Sequence, residues 1–244
     1  MANWSDPRPG TAFAARAGLR GAAYDAGLRS YMLSVYNYMA SGVLLTAIVA
    51  LGFYLSGAAQ AVFVGGGLLK WVITFAPLGI VLAMSFGQMR LSTATLQLLF
   101  WGYATVMGLS LSTIFLVYSP LSIANAFFAT AAGFAALSLW GYTTEKNLSA
   151  MGTFLIMGVV GLIVAGLVNL FLHSGPLAML ISVLGVLIFA GLTAYDTQRT
   201  KALYAEVAGT EHEGRVVIMS ALNLYLDFIN MFLYILRLFG SRDS

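Results

Sequence analysis

Runs of apolar residues, broken by short polar stretches, recur along all but the first part of this chain. A helix needs about 20 mostly apolar residues to cross a bilayer. Seven stretches reach that length: 36–56, 70–89, 96–118, 121–142, 149–172, 176–200 and 216–239. The breaks between them carry helix-stopping chemistry. Ser119-Pro120 separates the third from the fourth, and Ser174-Gly175-Pro176 the fifth from the sixth; proline is tolerated in a first helical turn but not in an interior one. Pro77 lies inside the second stretch and predicts a kink there. The connection that holds Glu206, Glu211, His212, Glu213 and Arg215 is aqueous. Gly65-Gly66-Gly67 predicts a loop; no GK[ST] follows it, so it is no phosphate cradle. In the fifth stretch Gly158, Gly161 and Ala165 share a face, which predicts close helix packing.

Composition agrees with this pattern. Only 9% of residues are charged and 60% are hydrophobic, where a soluble domain carries about 25% charged residues. The fold class predicted is all-α integral membrane: seven transmembrane helices over 31–240, following a polar cytoplasmic tail over 1–30. No short apolar core with a small-residue cleavage site precedes Met39, so the tail is not read as a removed signal. With the N-terminus inside, the cytoplasmic side holds nine basic residues: Arg8, Arg16, Arg20, Arg29, Arg90, Lys146, Arg199, Lys201 and Arg215. The outer side holds three, Lys70, Arg237 and Arg242, so the positive-inside rule favours N-in and C-out. That orientation depends on the last stretch crossing completely. Basic residues at segment ends argue against a nucleic-acid partner. There is no cysteine, hence no disulfide and no thiolate metal site. His173 and His212 are too far apart in sequence to suggest a multi-histidine metal centre, and no cofactor is expected.

Ionisable residues at membrane depth are expensive, face the bundle interior, and mark function by default. Asp227 lies about eleven residues into the last stretch, roughly 16 Å along its axis at 1.5 Å per residue. Ser220, Asn223, Asp227, Asn230, Tyr234 and Arg237 follow one another at steps of three or four, so they share one face. The other faces are greasy. Such a helix turns its stripe inward, which predicts a central seventh helix surrounded by six. Asp196 lies near the cytoplasmic end of the sixth stretch, and Arg90 at the cytoplasmic end of the second. A carboxylate at a helix C-terminus opposes the dipole; a helix continued through Thr197-Gln198 toward Lys201 removes the conflict. Two carboxylates brought together at low dielectric cannot both ionise cheaply and would share one proton. With Arg90 pairing to Asp196, the trio is a pH-dependent latch in principle. Ionised, Asp196 and Asp227 with the Asn223 and Asn230 carbonyls offer the hard oxygens that Ca²⁺ prefers. The spacing alone leaves open whether the two aspartates meet.

GLTAYDTQ at 191–198, together with ALNLYLDFINMFLYILRLFG at 221–240, closely resembles the Bax-inhibitor family, and in particular its bacterial members. The resemblance covers all seven stretches in order and spacing. It implies six helices around a central seventh, and a pH-sensitive Ca²⁺ leak of the cytoplasmic (inner) membrane. It places the family's sensing aspartates on Asp196 and Asp227, and its latch arginine on Arg90 within QMRLS. One departure stands out: the second stretch reads APLGIVLAM, without the membrane-embedded glutamate of some relatives.

Two other readings compete. An intramembrane aspartyl protease would use Tyr195-Asp196 and Asp227, but such enzymes need Gly-x-Gly-Asp where this chain has Leu224-Tyr225-Leu226-Asp227; no enzymatic activity is expected. A regulatory partner of a membrane-anchored quality-control protease would dock through residues 1–30. A retinal protein is excluded, since no lysine lies between 216 and 239. The expected state is a monomer, with Ca²⁺ as the transported ion.

Overall fold

The computed structural model describes residues 8–241, with side chains from residue 21. Residues 1–7 of the predicted tail lie outside the described residues. The chain forms α1 (Arg8–Leu55), a short α2 (Ala58–Phe63), α3 (Leu68–Gly87), α4 (Thr93–Leu111) with a 3₁₀ extension (Ser112–Leu116), α5 (Pro120–Thr143), α6 (Ser149–Leu172), α7 (Gly175–Val207) and α8 (Glu213–Phe239). Among the described residues seven helices are long and apolar enough to cross a membrane: α1 from Gly21 onward, α4 together with its 3₁₀ extension, and α3, α5, α6, α7 and α8 as they stand.

Helix starts follow local chemistry. Ser92, Ser119 and Ser174 cap α4, α5 and α7 by accepting hydrogen bonds from the amides of Thr95, Ser122 and Leu177. Each satisfies one of the orphan donors of a first turn. Pro120 and Pro176 occupy first-turn positions, while α3 runs unbroken through Pro77. The glycine run is a turn in which Gly66 and Gly67 take φ of 80° and 104°, a region closed to most side chains.

Two ends differ from the hydrophobic pattern. Leu28, inside the predicted tail, is already buried, and α7 runs on to Val207, seven residues past its predicted end at 200. The reason is a shared one. Tyr204 of α7 meets Tyr24 and Tyr31 of α1, each with ring centroids 5.2 Å apart, and Gly27 leaves room for the Tyr204 hydroxyl. Both helices project beyond their apolar runs and hold each other by aromatic contact. At the other end, the amide of Ser241 donates to Ser122 Oγ at 3.0 Å, and the amide of Ser119 donates to the Ser241 carbonyl at 3.2 Å. Ser241 is thereby pinned to the start of α5, so α8 runs the full length of the bundle.

Helix α8 is the most buried span, with 67% of its apolar window enclosed against 11–39% in the others. It packs on α1, α4, α5 and α7. The arrangement is narrower than six around one, because α3 rests mainly on α4 and α6 on α7. Apolar faces gain little by meeting in lipid, so close approach and hydrogen bonds decide the contacts. Gly108 lets α4 approach the Thr46 carbonyl of α1, Gly141 lets α5 meet the backbone of Ala194, Gly152 lies under the Tyr195 ring, and Gly185 lies under Tyr234. Of the predicted small-residue face, Gly158 abuts Ile188, whereas Gly161 faces open space.

One polar network ties α8 to two neighbours. Thr46 Oγ1 donates to the Ala104 carbonyl at 2.8 Å, and its single hydrogen is thereby used. The Tyr225 hydroxyl, 2.7 Å away, must therefore donate to Thr46. Tyr225→Phe is expected to destabilise the bundle by about 1 kcal/mol. Equilibrium unfolding in mixed detergent micelles would measure this.

Candidate functional site: an acidic pair between α7 and α8

Asp227 stands one residue past the midpoint of α8 and is 3% exposed. Its stripe faces α7: Tyr234 covers Gly185, and Ser220 and Asn223 line a cavity with α7 residues. The α7 residue opposite Asp227 is Asp196. The two carboxyls lie within hydrogen-bonding reach of each other. An ionised carboxylate only accepts hydrogen bonds, so this contact forms when one of the two is protonated. Asp227 Oδ2 is buried and accepts from no other donor among the described residues. The meeting that spacing left open is thus present.

The block 191–198 explains itself in this frame. Gly191 admits Leu155 and Tyr195 fills the space over Gly152, so both fasten α6 to α7. Tyr36 and Thr197 approach at 3.4 Å. Gln198 accepts from the Leu148 amide at 2.9 Å and donates to the Lys146 carbonyl at 2.8 Å, clamping the α5–α6 turn. These contacts hold α7 on several sides and leave Asp196 to face α8. Because α7 continues past Asp196, the predicted conflict with a helix C-terminus does not arise.

A cavity of about 400 Å³ leads to Asp196 from the end that carries the α3–α4 and α7–α8 connections. Gln88, Met89, Glu206 and His212 stand at its outer part, with Arg199, Arg215, Ser220 and Asn223 along it. A second cavity of about 580 Å³ opens at the opposite end, with Asn169, Ser182 and Arg237 in its wall. Between them Phe189 stacks on Tyr234 with centroids 5.9 Å apart. The acidic pair sits at the inner end of the first cavity, on the near side of this aromatic closure.

Arg90 requires correction. It is exposed in the turn after α3, and among the described residues it makes no ion pair with Asp196. Its neighbours Gln88 and Met89 line the cavity, whereas Arg90 does not. The turn carries its side chain outward just as the helix ends. The arginine that acts electrostatically on Asp196 is Arg199. Arg199 is three residues along α7, and i, i+3 residues share a helix face, so the signal was present. Arg215 also lines the cavity, with its Nε buried and unpaired. Steps of four from Asp227 back through Asn223 and Met219 reach it, which extends the polar stripe beyond Ser220 by about one and a half turns. Asn223 lines the cavity. Asn230 does not: its Nδ2 donates to the Leu226 carbonyl one turn back, at 2.8 Å. Among the described residues no group of three or more acidic or histidine side chains gathers into a metal-binding cluster.

The fold and site define a multi-pass helical membrane protein with an acidic pair enclosed between two of its spans. Residues 28–244 match the family described as Inhibitor of apoptosis-promoting Bax1, and the chain belongs to that family. Among its relatives is a protein of Rickettsia prowazekii (strain Madrid E), 47% identical over 223 residues, which cover 90% of this chain and 92% of the relative. The inner membrane protein YbhL of Escherichia coli (strain K12) is 42% identical over 219 residues, 89% of this chain and 94% of the relative. A membrane protein of Streptococcus pyogenes serotype M3 is 34% identical over 228 residues, 90% and 96% of the two chains.

Proposed function

We propose that this protein is a pH-sensitive Ca²⁺ leak of the inner membrane, with its N-terminus in the cytoplasm, acting as a monomer and without an enzymatic step. The observation that carries this reading is the contact between Asp196 and buried Asp227 at the inner end of a cavity. The name of the Escherichia coli relative supports the location.

At low pH the pair holds a proton and stays closed, with Phe189 and Tyr234 packed beyond it. At higher pH both carboxyls ionise. Like charges at low dielectric repel, and α7 and α8 must separate or admit a cation between them. Ca²⁺ takes about six to eight oxygen ligands. Two carboxylates, the Asn223 side chain and water would supply a passing ion without a fixed cage. Arg199, and not Arg90, biases the pair, because it is the cation beside Asp196.

The test is Ca²⁺ flux from liposomes holding the purified protein, measured against pH. Flux is expected to rise with pH. Flux no greater than that of protein-free liposomes would overturn the reading. Within the same assay Arg199→Gln removes a cation that favours the ionised pair, so the rise moves to higher pH. Arg199 is exposed, so the shift is small, in keeping with the weak energies of solvated charges. Arg90→Gln leaves the profile where it is.

A further inference from the structure

A larger cavity than the one that reaches the acidic pair lies elsewhere in the bundle. It is a groove of about 760 Å³ between α1 and α5, floored by Phe228 of α8. Along α1 it extends from Arg29 to Ala47, and along α5 from Tyr142 back to Phe127. The helical rise from Arg29 to Ala47 is about 27 Å, nearly the full hydrocarbon thickness of about 30 Å. The groove is thus long and narrow, and it lies at membrane depth.

Its walls are apolar except at one end. Phe127 and Phe134 pack edge-on against Phe228, with centroids 5.6 and 5.5 Å apart, and make a firm floor. Arg29 and Tyr142 close the polar end. Lys201 stands beside Tyr142, its Nζ donating to the Tyr142 carbonyl at 2.9 Å. Arg29 has no ion pair among the described residues; Asp25, one turn before it, does not reach it. One turn inward from Tyr142, about 6 Å along α5, Ser138 stands in the groove wall. It is 6% exposed, and its hydroxyl oxygen, buried just beneath the wall, has no hydrogen-bond partner among the described residues.

We propose that the α1–α5 groove binds a phospholipid with an anionic headgroup. The phosphate rests by Arg29, with Lys201 adding positive potential. An ester carbonyl accepts from Ser138. An acyl chain fills the apolar length over Phe228. The depth order agrees with the chemistry of such a lipid: charge at the surface, an ester acceptor a few ångströms in, then hydrocarbon across the rest. A helix laid in the groove would answer neither Arg29 nor Ser138. A compact solute would not use the length.

The test uses the full-length protein, reconstituted in vesicles of phosphatidylglycerol and phosphatidylcholine in equal amounts, extracted in detergent, and examined by native mass spectrometry. Wild type is expected to retain phosphatidylglycerol in stoichiometric amount. Arg29→Gln alters an exposed side chain and should lower the preference for phosphatidylglycerol over phosphatidylcholine about five-fold, which is the ~1 kcal/mol of one basic side chain at an anionic surface. Ala135→Trp, on the open wall of the groove, should displace the lipid while the protein stays folded by circular dichroism. Retention unaffected by Ala135→Trp would overturn the proposal. So would an unchanged headgroup preference in Arg29→Gln. A dimer in place of bound lipid, dispersed by Ala135→Trp, would assign the groove to a second copy and equally overturn it.

Discussion

Asp227→Asn is expected to abolish the rise of Ca²⁺ flux with pH in proteoliposomes. The substitution changes almost no volume, and an amide can still hydrogen-bond Asp196 across the α7–α8 contact. What it removes is the second ionisation. Two charges about 4 Å apart at an effective dielectric constant of 20 repel by about 4 kcal/mol, and 1.4 kcal/mol is a ten-fold change in an equilibrium. Repulsion within the pair is therefore large enough to govern opening. In the variant at most one charge forms, and the amide stays bonded to it. Wild-type flux should change by about ten-fold or more between the protonated and ionised states, and variant flux by far less. Asp196→Asn should behave alike, because the repulsion belongs to the pair. Wild-type pH dependence in both variants would remove the mechanism. Size-exclusion profiles and helical circular dichroism matching those of wild type would exclude misfolding as the cause.

Gly141→Ala is expected to damage the fold. Gly141 is buried in α5, and an added Cβ would overlap the Ala194 carbonyl oxygen and backbone of α7. Side chains can rotate away from a clash, but backbone cannot. The helices must separate, two residues from Asp196. Overpacking a tight site costs about 1–3 kcal/mol, and the upper part of that range applies where only rigid-body movement relieves it. Gly161→Ala is the control, since nothing stands within 4 Å of its added methyl; it should leave stability unchanged or slightly raised, as alanine favours helix. Detergent-titrated unfolding of the two variants would separate them. Equal stability of both would show that the α5–α7 crossing has slack.

Much of the fold was legible because its signals are local. The sixth span shows the limit. Its apolar run was clear, but its continuation to Val207 rests on Tyr204 meeting Tyr24 and Tyr31, contacts that no window of hydropathy contains. The short α2 was missed for a similar reason: six residues between two spans carry too little periodicity. Arg90 was preferred over Arg199 because of its resemblance and its place at a helix end. A turn then decided the direction of its side chain. Arg199, one turn from Asp196, was counted only as a topology anchor. Asn230 had the correct spacing in the stripe, but an N–H of its amide is tied to its own helix, as often happens when a side chain can reach a carbonyl one turn back.

By itself the sequence determined where the chain crosses the membrane and which helix bears the buried acid. A bilayer demands about 20 apolar residues in a row, and a polar stripe follows from the 3.6-residue repeat of a single helix; both are properties of contiguous residues. Only the tertiary structure decided that Asp227 meets Asp196, 31 positions away, that Arg199 attends them, and that α1 stands off α5 and leaves a groove. In lipid one greasy face is much like another. Which faces meet depends on where glycines such as Gly141 and Gly152 permit close approach and where side chains such as Gln198 and Tyr225 find partners, and those choices exist only once all the helices are assembled.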